Sequence, residues 1–275
     1  MLLSQFENCD RFMTAVLYIQ YLMTSVWLPL DKSYFGVSSG SVVTNTPFPV
    51  GNLGQDVILD CKFQTKTTQV SSDVSITWKK DGLTGVVYQY QNKADHLTDQ
   101  NPLFKNRANL FQDTITKGNA SLLLRTVRME DEGVYHCSVT ASGVTGTVSI
   151  HLRVGAFSAP NITSSKGILE AYAPRWLPKP DVTWFDLNGK QINSSTQFNN
   201  ISMGIVQVIS NVQVQVTDMT YTCIIQNALV TAVSQATVRG NGVSTETDFI
   251  FNSSPSIITS HVIGTAFIFI RMLVW

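Results

Sequence analysis

Charge is scarce in this 275-residue chain: Asp, Glu, Lys and Arg make up 14% of it, with 19 basic side chains set against 19 acidic ones. No excess of Lys and Arg gathers on one face, so the electrostatic footprint of a nucleic-acid binder is missing. Histidine is equally sparse. His96, His136, His151 and His261 are scattered, and no His/Cys spacing matches a zinc site. A phosphate-cradling glycine motif and a Gly-x-Ser-x-Gly elbow are both absent. Asp131 and Ser121 fall near one another in strand and turn segments, not in a triad. These gaps argue against catalysis, a metal, a cofactor or a small-molecule substrate. Helical periodicity is nearly lacking as well. What the chain does have is 44% hydrophobic content, enough for a packed core, and the length of two ordinary domains.

Apolar residues concentrate at both ends. Residues 1–38 read as a leader: the run Phe12–Leu30 follows a polar start containing Arg11, and small residues from Gly36 to Ser41 lie beyond it. This suits a secretory signal cleaved near residues 31–41, with an uncleaved signal anchor as the alternative. Residues 257–275 form a second apolar segment, carrying His261 and Arg271. It reads either as a terminal membrane helix or as a glycolipid-anchor signal removed after Asn252-Ser253-Ser254. Both readings attach the C-terminal side to a membrane, with the bulk of the chain on the extracellular face. Five Asn-x-Ser/Thr tripeptides, at Asn119, Asn161, Asn193, Asn200 and Asn252, are candidate glycosylation sites and fit an outside location.

Between the ends lie short β-rich runs. Val57 to Phe63 alternates so that Val57, Leu59, Cys61 and Phe63 share a face, and Ser121–Arg125, Val134–Val139 and Thr147–Leu152 behave alike. A second set begins after Val154: Asp181–Trp184, Gly204–Ile209, Tyr221–Ile225 and Ala232–Val238. Period-two patterning in short segments argues for β-sandwiches. The expected division is 39–154 and 155–240 for two domains, then a polar, Ser/Thr-rich stalk over 241–256.

Cys61, Trp78 and Cys137 carry the strongest signal. Trp78 follows Cys61 by 17 positions (78 − 61), and Cys137 follows it by 76 (137 − 61). A variable-type immunoglobulin domain joins its two sheets by one disulfide and packs a tryptophan on it. The run Asp131-Glu-Gly-Val-Tyr-His-Cys137 adds a tyrosine corner, with Tyr135 two residues before the cysteine. Arg107 is the expected ion-pair partner of Asp131. The predicted fold is therefore all-β: two tandem immunoglobulin-like sandwiches, V-set and then C-type, with a Cys61–Cys137 disulfide.

The second domain departs from this pattern. Trp184, Tyr221 and Cys223 occupy core places, but position 171, where the partner cysteine belongs, is alanine. Cys9 lies in the leader, so Cys223 is left without a mate in its own domain. It reads as a buried free thiol or, alternatively, as half of an intermolecular disulfide.

Gly118-Asn-Ala-Ser-Leu-Leu-Leu124, the corner at Asp131–Cys137, Gly155-Ala-Phe-Ser158 and Ala173-Pro-Arg-Trp176 together resemble the B7 family of T-cell co-regulatory ligands. The resemblance runs from about Gly51 to Val238. It implies display on antigen-presenting or epithelial cells, and inhibition of T-cell activation, proliferation and cytokine release through a receptor on the T cell. The residues leave open a homophilic adhesion protein or a costimulatory ligand of opposite sign. Members of the family engage receptors through the outer face of one sheet of the first domain. With Trp78, Tyr135 and Cys137 pointing inward, alternation turns Thr77, Lys79, His136, Ser138, Ser149 and His151 outward. Tyr88, Tyr90 and the turn Ser142-Gly143-Val144 are expected beside them, since tyrosines and small-residue loops are common on recognition surfaces.

Overall fold

Short β-branched runs pair through their backbones into two tandem immunoglobulin-type sandwiches, each with its own buried cluster. The computed structural model describes residues 42–64, 74–141, 144–214, 219–240 and 242–252. The leader, Cys9, Ser142, Gly143 and the 257–275 segment lie outside the described residues.

In the first sandwich the strands are β1 (Val42–Val43), β2 (Val50–Asn52), β3 (Val57–Leu59), β4 (Lys62–Phe63), β5 (Ser75–Lys80) and β6 (Tyr88–Gln91). They continue as β7 (Ala94–Asp95), β8 (Ala108–Leu110), β9 (Leu122–Leu124), β10 (Gly133–Ala141) and β11 (Val144–Gly155). One sheet has the order β2-β11-β10-β5-β6-β7, and the facing layer holds β3-β9-β8 and the pair β1-β4. Leu59, Leu122, Leu124, Ile76, Ile150 and Leu152 fill the space between, each under 1% exposed, so the two layers exclude water completely at their centre. Cys61 bonds to Cys137 across this core, and Trp78, opposite Cys137 in the register, donates its indole N–H to Ala120 O at 2.9 Å. The close turn before Ala120 requires glycine. Gly118 has φ +86°, and a Cβ there would lie 2.2 Å from Phe63 O.

The second sandwich contains β12 (Asn161–Ser165), β13 (Ile168–Trp176), β14 (Asp181–Phe185), β15 (Gln191–Ile192) and β16 (Ser194–Ser202). It is completed by β17 (Ile205–Gln213), β18 (Thr220–Gln226), β19 (Val230–Arg239) and β20 (Gly242–Phe251). Its sheets have the orders β12-β13-β17-β16 and β15-β14-β18-β19-β20. Trp176 and Trp184 are fully enclosed between them.

The stalk expected over 241–256 is overturned for most of its length. Gly242 to Phe251 pair antiparallel with β19, from Arg239↔Gly242 to Val230↔Phe251. The Ser/Thr content that reads as solvated chain alternates with Val243 and Phe249, and these two pack on the second core. β-Branched threonines suit a half-buried strand as well as they suit a polar linker.

The sandwiches meet at a waist built from several elements. Asn52 donates its carboxamide N–H to Phe157 O at 2.9 Å and accepts from Phe157 N at 3.2 Å. Arg175 reaches back to Leu53 O. The Phe157 ring lies 5.5 Å from both Phe249 and Phe251, and Ala156 bridges to Leu177. At Gly155 a Cβ would sit 2.6 Å from Leu177 O and 2.7 Å from Leu229 Cδ1, so glycine permits this approach.

Candidate interaction face

The outer side of the six-stranded sheet is a hydroxyl-rich surface laid out by strand register. Opposite pairs Thr77↔Gln89, Thr77↔Ser138 and Ser138↔Thr147 form one row across β6, β5, β10 and β11. The next row runs Lys79↔His136↔Ser149. Because their inward neighbours are Trp78, Cys137 and Ile150, these side chains project the other way.

Hydrogen bonds tie the rows together. Ser138 Oγ and Thr147 Oγ1 are 2.9 Å apart. His136 Nε2 meets Asp81 Oδ1 at 2.8 Å, and its Nδ1 lies 3.0 Å from Ser149 Oγ. An Asp–His–Ser chain of this kind has the composition of a hydrolytic triad, yet it lies open on a sheet, with the Asp81 side chain 64% exposed. A nucleophile needs an enclosed site with donors aimed at developing charge. Here the hydrogen bonds fix the rotamers of exposed side chains.

Tyr88, Tyr90 and Val144, expected on or beside this surface, are elsewhere. Tyr88 and Tyr90 stand opposite Trp78 and Ile76, so the register points both rings into the core, where they are 3% and 9% exposed. The Tyr88 phenol is raised above its ordinary pKa by burial first and by the neighbouring Asp95 carboxylate second. Val144, at the start of β11, is 4% exposed and packs in the first core. His151 is half-buried beneath Phe48, their rings meeting edge-on at 6.3 Å. The face instead includes Gln89, Asp81 and Thr147, which alternation on β6 and pairing with Ser138 and His136 could have supplied.

Below the face, the Arg107 guanidinium grips Asp131 at 2.5 Å (Nη2–Oδ2), with the carboxylate also accepting from Arg128 N at 2.8 Å. Burial raises the Asp131 carboxyl, opposed by that backbone N–H and by Arg107. Tyr135 Oη donates to Asp131 O at 2.8 Å, closing the corner.

Comparison with known proteins matches residues 44–154 to the immunoglobulin V-set domain. Human V-set domain-containing T-cell activation inhibitor 1 is 32% identical over 82% of this chain and 83% of its own. The rat protein of the same name is 33% identical over 83% and 84%. The chain belongs to the B7 family. Among solved structures, the human B7-H4 IgV-like domain is 33% identical, covering 42% of this chain and 97% of that one, with a TM-score of 0.38.

In this B7-family chain the second sandwich has the indole but no covalent bridge. Ala171 and Cys223 are both fully buried in the cluster that holds Trp184. Cys223 is a free thiol, and burial pushes its pKa up to about 12. Polar contacts sit nearby: Trp184 Nε1 donates to Ser210 Oγ at 3.0 Å, and Ser210 pairs with Thr196 Oγ1 at 2.8 Å. Tyr221, two positions before Cys223 on β18, is buried opposite Ala236.

The five sequons of this B7-family chain divide by environment. Asn161, Asn193 and Asn200 are exposed on the second sandwich. Asn119 is half-buried, with its carboxamide N–H on Thr114 Oγ1 at 2.8 Å and its oxygen on Lys62 Nζ at 2.7 Å. Asn252 donates to Ala228 O at 3.0 Å. In these two the nitrogen that would carry a glycan is already committed to the fold.

Proposed function

We propose that this chain is a cell-surface, co-inhibitory ligand of T cells. It is held to its membrane through the apolar C-terminal side and presents the outer face of β5, β6, β10 and β11 to a receptor on the opposing cell. Docking there restrains T-cell activation, proliferation and cytokine release. The observation that carries this reading is the face itself, a polar surface ordered by hydrogen bonds. It lies in a chain whose relatives, at 32% and 33% identity, are named for inhibiting T-cell activation. Hydroxyls and amides on a rigid sheet suit protein recognition by shape and short polar contacts. Glycans belong on Asn161, Asn193 and Asn200, away from that face.

Beads carrying the ectodomain should suppress cytokine release from activated T cells. Ser138→Arg, which places a long cation at the centre of the first row, should weaken suppression at least about tenfold. Glu170→Arg, on the outer face of the second sandwich, should leave it unchanged. Bead–bead clustering without suppression would replace this reading with homophilic adhesion, and enhanced cytokine release would reverse its sign.

A further inference from the structure

β12 ends one sheet of the second sandwich and holds one of the exposed sequons, Asn161-Ile162-Thr163. Alternation buries Ile162 and turns Asn161 and Thr163 outward together. Across the ladder Asn161 stands directly opposite Tyr172 of β13. Tyr172 shares that outer side, because its neighbours Ala171 and Ala173 are fully buried. It is 37% exposed, and among the described Phe, Tyr and Trp residues only Phe251 is as open. Side chains placed directly opposite on one face have Cβ atoms about 5 Å apart. The Asn161 carboxamide has no partner among the described residues, in contrast to those of Asn119 and Asn252.

The phenol is held in place. Tyr172 Oη accepts from Gln207 Nε2 at 2.9 Å, and Gln207 Oε1 accepts from Asn199 Nδ2 at 3.1 Å, a line of contacts reaching over β17 to β16. A β-linked N-acetylglucosamine on Asn161 Nδ2 begins within reach of that ring. Its ring hydroxyls are equatorial, so its two faces present C–H groups. These carry the slight positive charge that an aromatic face attracts. The other exposed sequons lack such a neighbour. Asn200 stands opposite Val206, Phe198 just before it packs on the core, and Asn193 lies between β15 and β16.

We propose that Asn161 carries an N-linked glycan whose first N-acetylglucosamine packs on Tyr172 and clamps β12 to β13. Its attachment joins Asn161 Nδ2 to sugar C1 and breaks the C1–O bond of a lipid-linked pyrophosphate donor; the pyrophosphate leaves and the amide gives up a proton. The clamp lies one register step from Ile162↔Ala171, where this sandwich lacks a sulfur bridge. A modification on the outside thus supplies part of the cohesion that the missing bridge withholds inside. This inference rests on the extracellular, glycosylated state in the functional reading.

The test uses the full chain purified in detergent from a glycosylating cell line. Mass mapping should find Asn161 occupied, and an unmodified Asn161 overturns the proposal. Trimming with an endoglycosidase that leaves one N-acetylglucosamine should not move the transition of the second sandwich in calorimetry. Removing that last sugar with a glycoamidase should lower it by about 4 °C. In Tyr172→Thr the same removal should have almost no effect, whereas Tyr172→Phe, which keeps the ring, should retain most of the loss. No loss in the unsubstituted chain, a loss complete on trimming, or equal losses in the unsubstituted chain and Tyr172→Thr each overturn the clamp. T-cell suppression by beads is read separately: its failure beside an intact sugar-dependent shift sinks the receptor reading and leaves the clamp supported.

Discussion

The two sandwiches answer the same packing problem with different means. The first ties its layers by Cys61–Cys137, closes a loop of 76 residues and adds a buried Arg107–Asp131 pair beneath. The second places Trp184 in the equivalent setting but has alanine where a sulfur would cross, and relies on apolar burial and the Trp184–Ser210–Thr196 contacts. A crosslink acts mostly on the unfolded chain by restricting its conformations. Two cores of similar design should therefore differ in stability, with the second melting first in calorimetry. Coincident transitions would show that the waist couples them into one unit.

The strongest way to break that contrast is to remove the bridge. Cys61→Ala/Cys137→Ala should cost the first sandwich about 4 kcal/mol and bring its transition down to or below that of the second. Next in size is Asp131→Ala, which leaves the Arg107 guanidinium buried without its partner; about 3 kcal/mol should be lost from the first transition alone. The contrast can also be reversed from the other side. Ala171→Cys should form a bridge to Cys223 and raise the second transition by about 2–3 kcal/mol, with a 171–223 linked peptide in a non-reducing mass map. Cys223→Ala should have the smallest effect, about 1 kcal/mol at neutral pH. Its pH dependence is the sharper readout. The buried thiol holds its proton to about pH 12, while the unfolded chain releases it above about pH 9. The folded state thus binds more protons in that window, and stability falls as pH rises through it. Chemical denaturation should show a flatter alkaline limb for the alanine variant.

Much of this was legible in the sequence because covalent and aromatic markers fix layers wherever they occur. Cys61, Trp78, Tyr135 and Cys137 need only their spacing to place one sheet on another. Alternation from Trp78 and Cys137 then sets the outward turn of Thr77, Lys79, His136 and Ser138. Tyr88 and Tyr90 were harder to place. Val86-Val-Tyr-Gln-Tyr90 alternates equally well in two phases, and only the cross-strand register against Trp78 selects the one that buries the rings. Val144 depended on hairpin geometry, since one residue of shift at a turn exchanges core for solvent. β20 was missed because composition carries no record of a strand partner. Its threonines and serines are solvated on one side and hydrogen-bonded along their backbone on the other.

Adhesive contacts between cells are pulled as well as formed, and the sulfur link decides how each barrel yields. The chain from Cys61 to Cys137, a separation of 76 positions, cannot be drawn out by a tensile load, withholding roughly 260 Å of contour length. The lower barrel has no such stop, so stretching it releases its whole thread. Extension under tug belongs to the second sandwich, while the first keeps its shape.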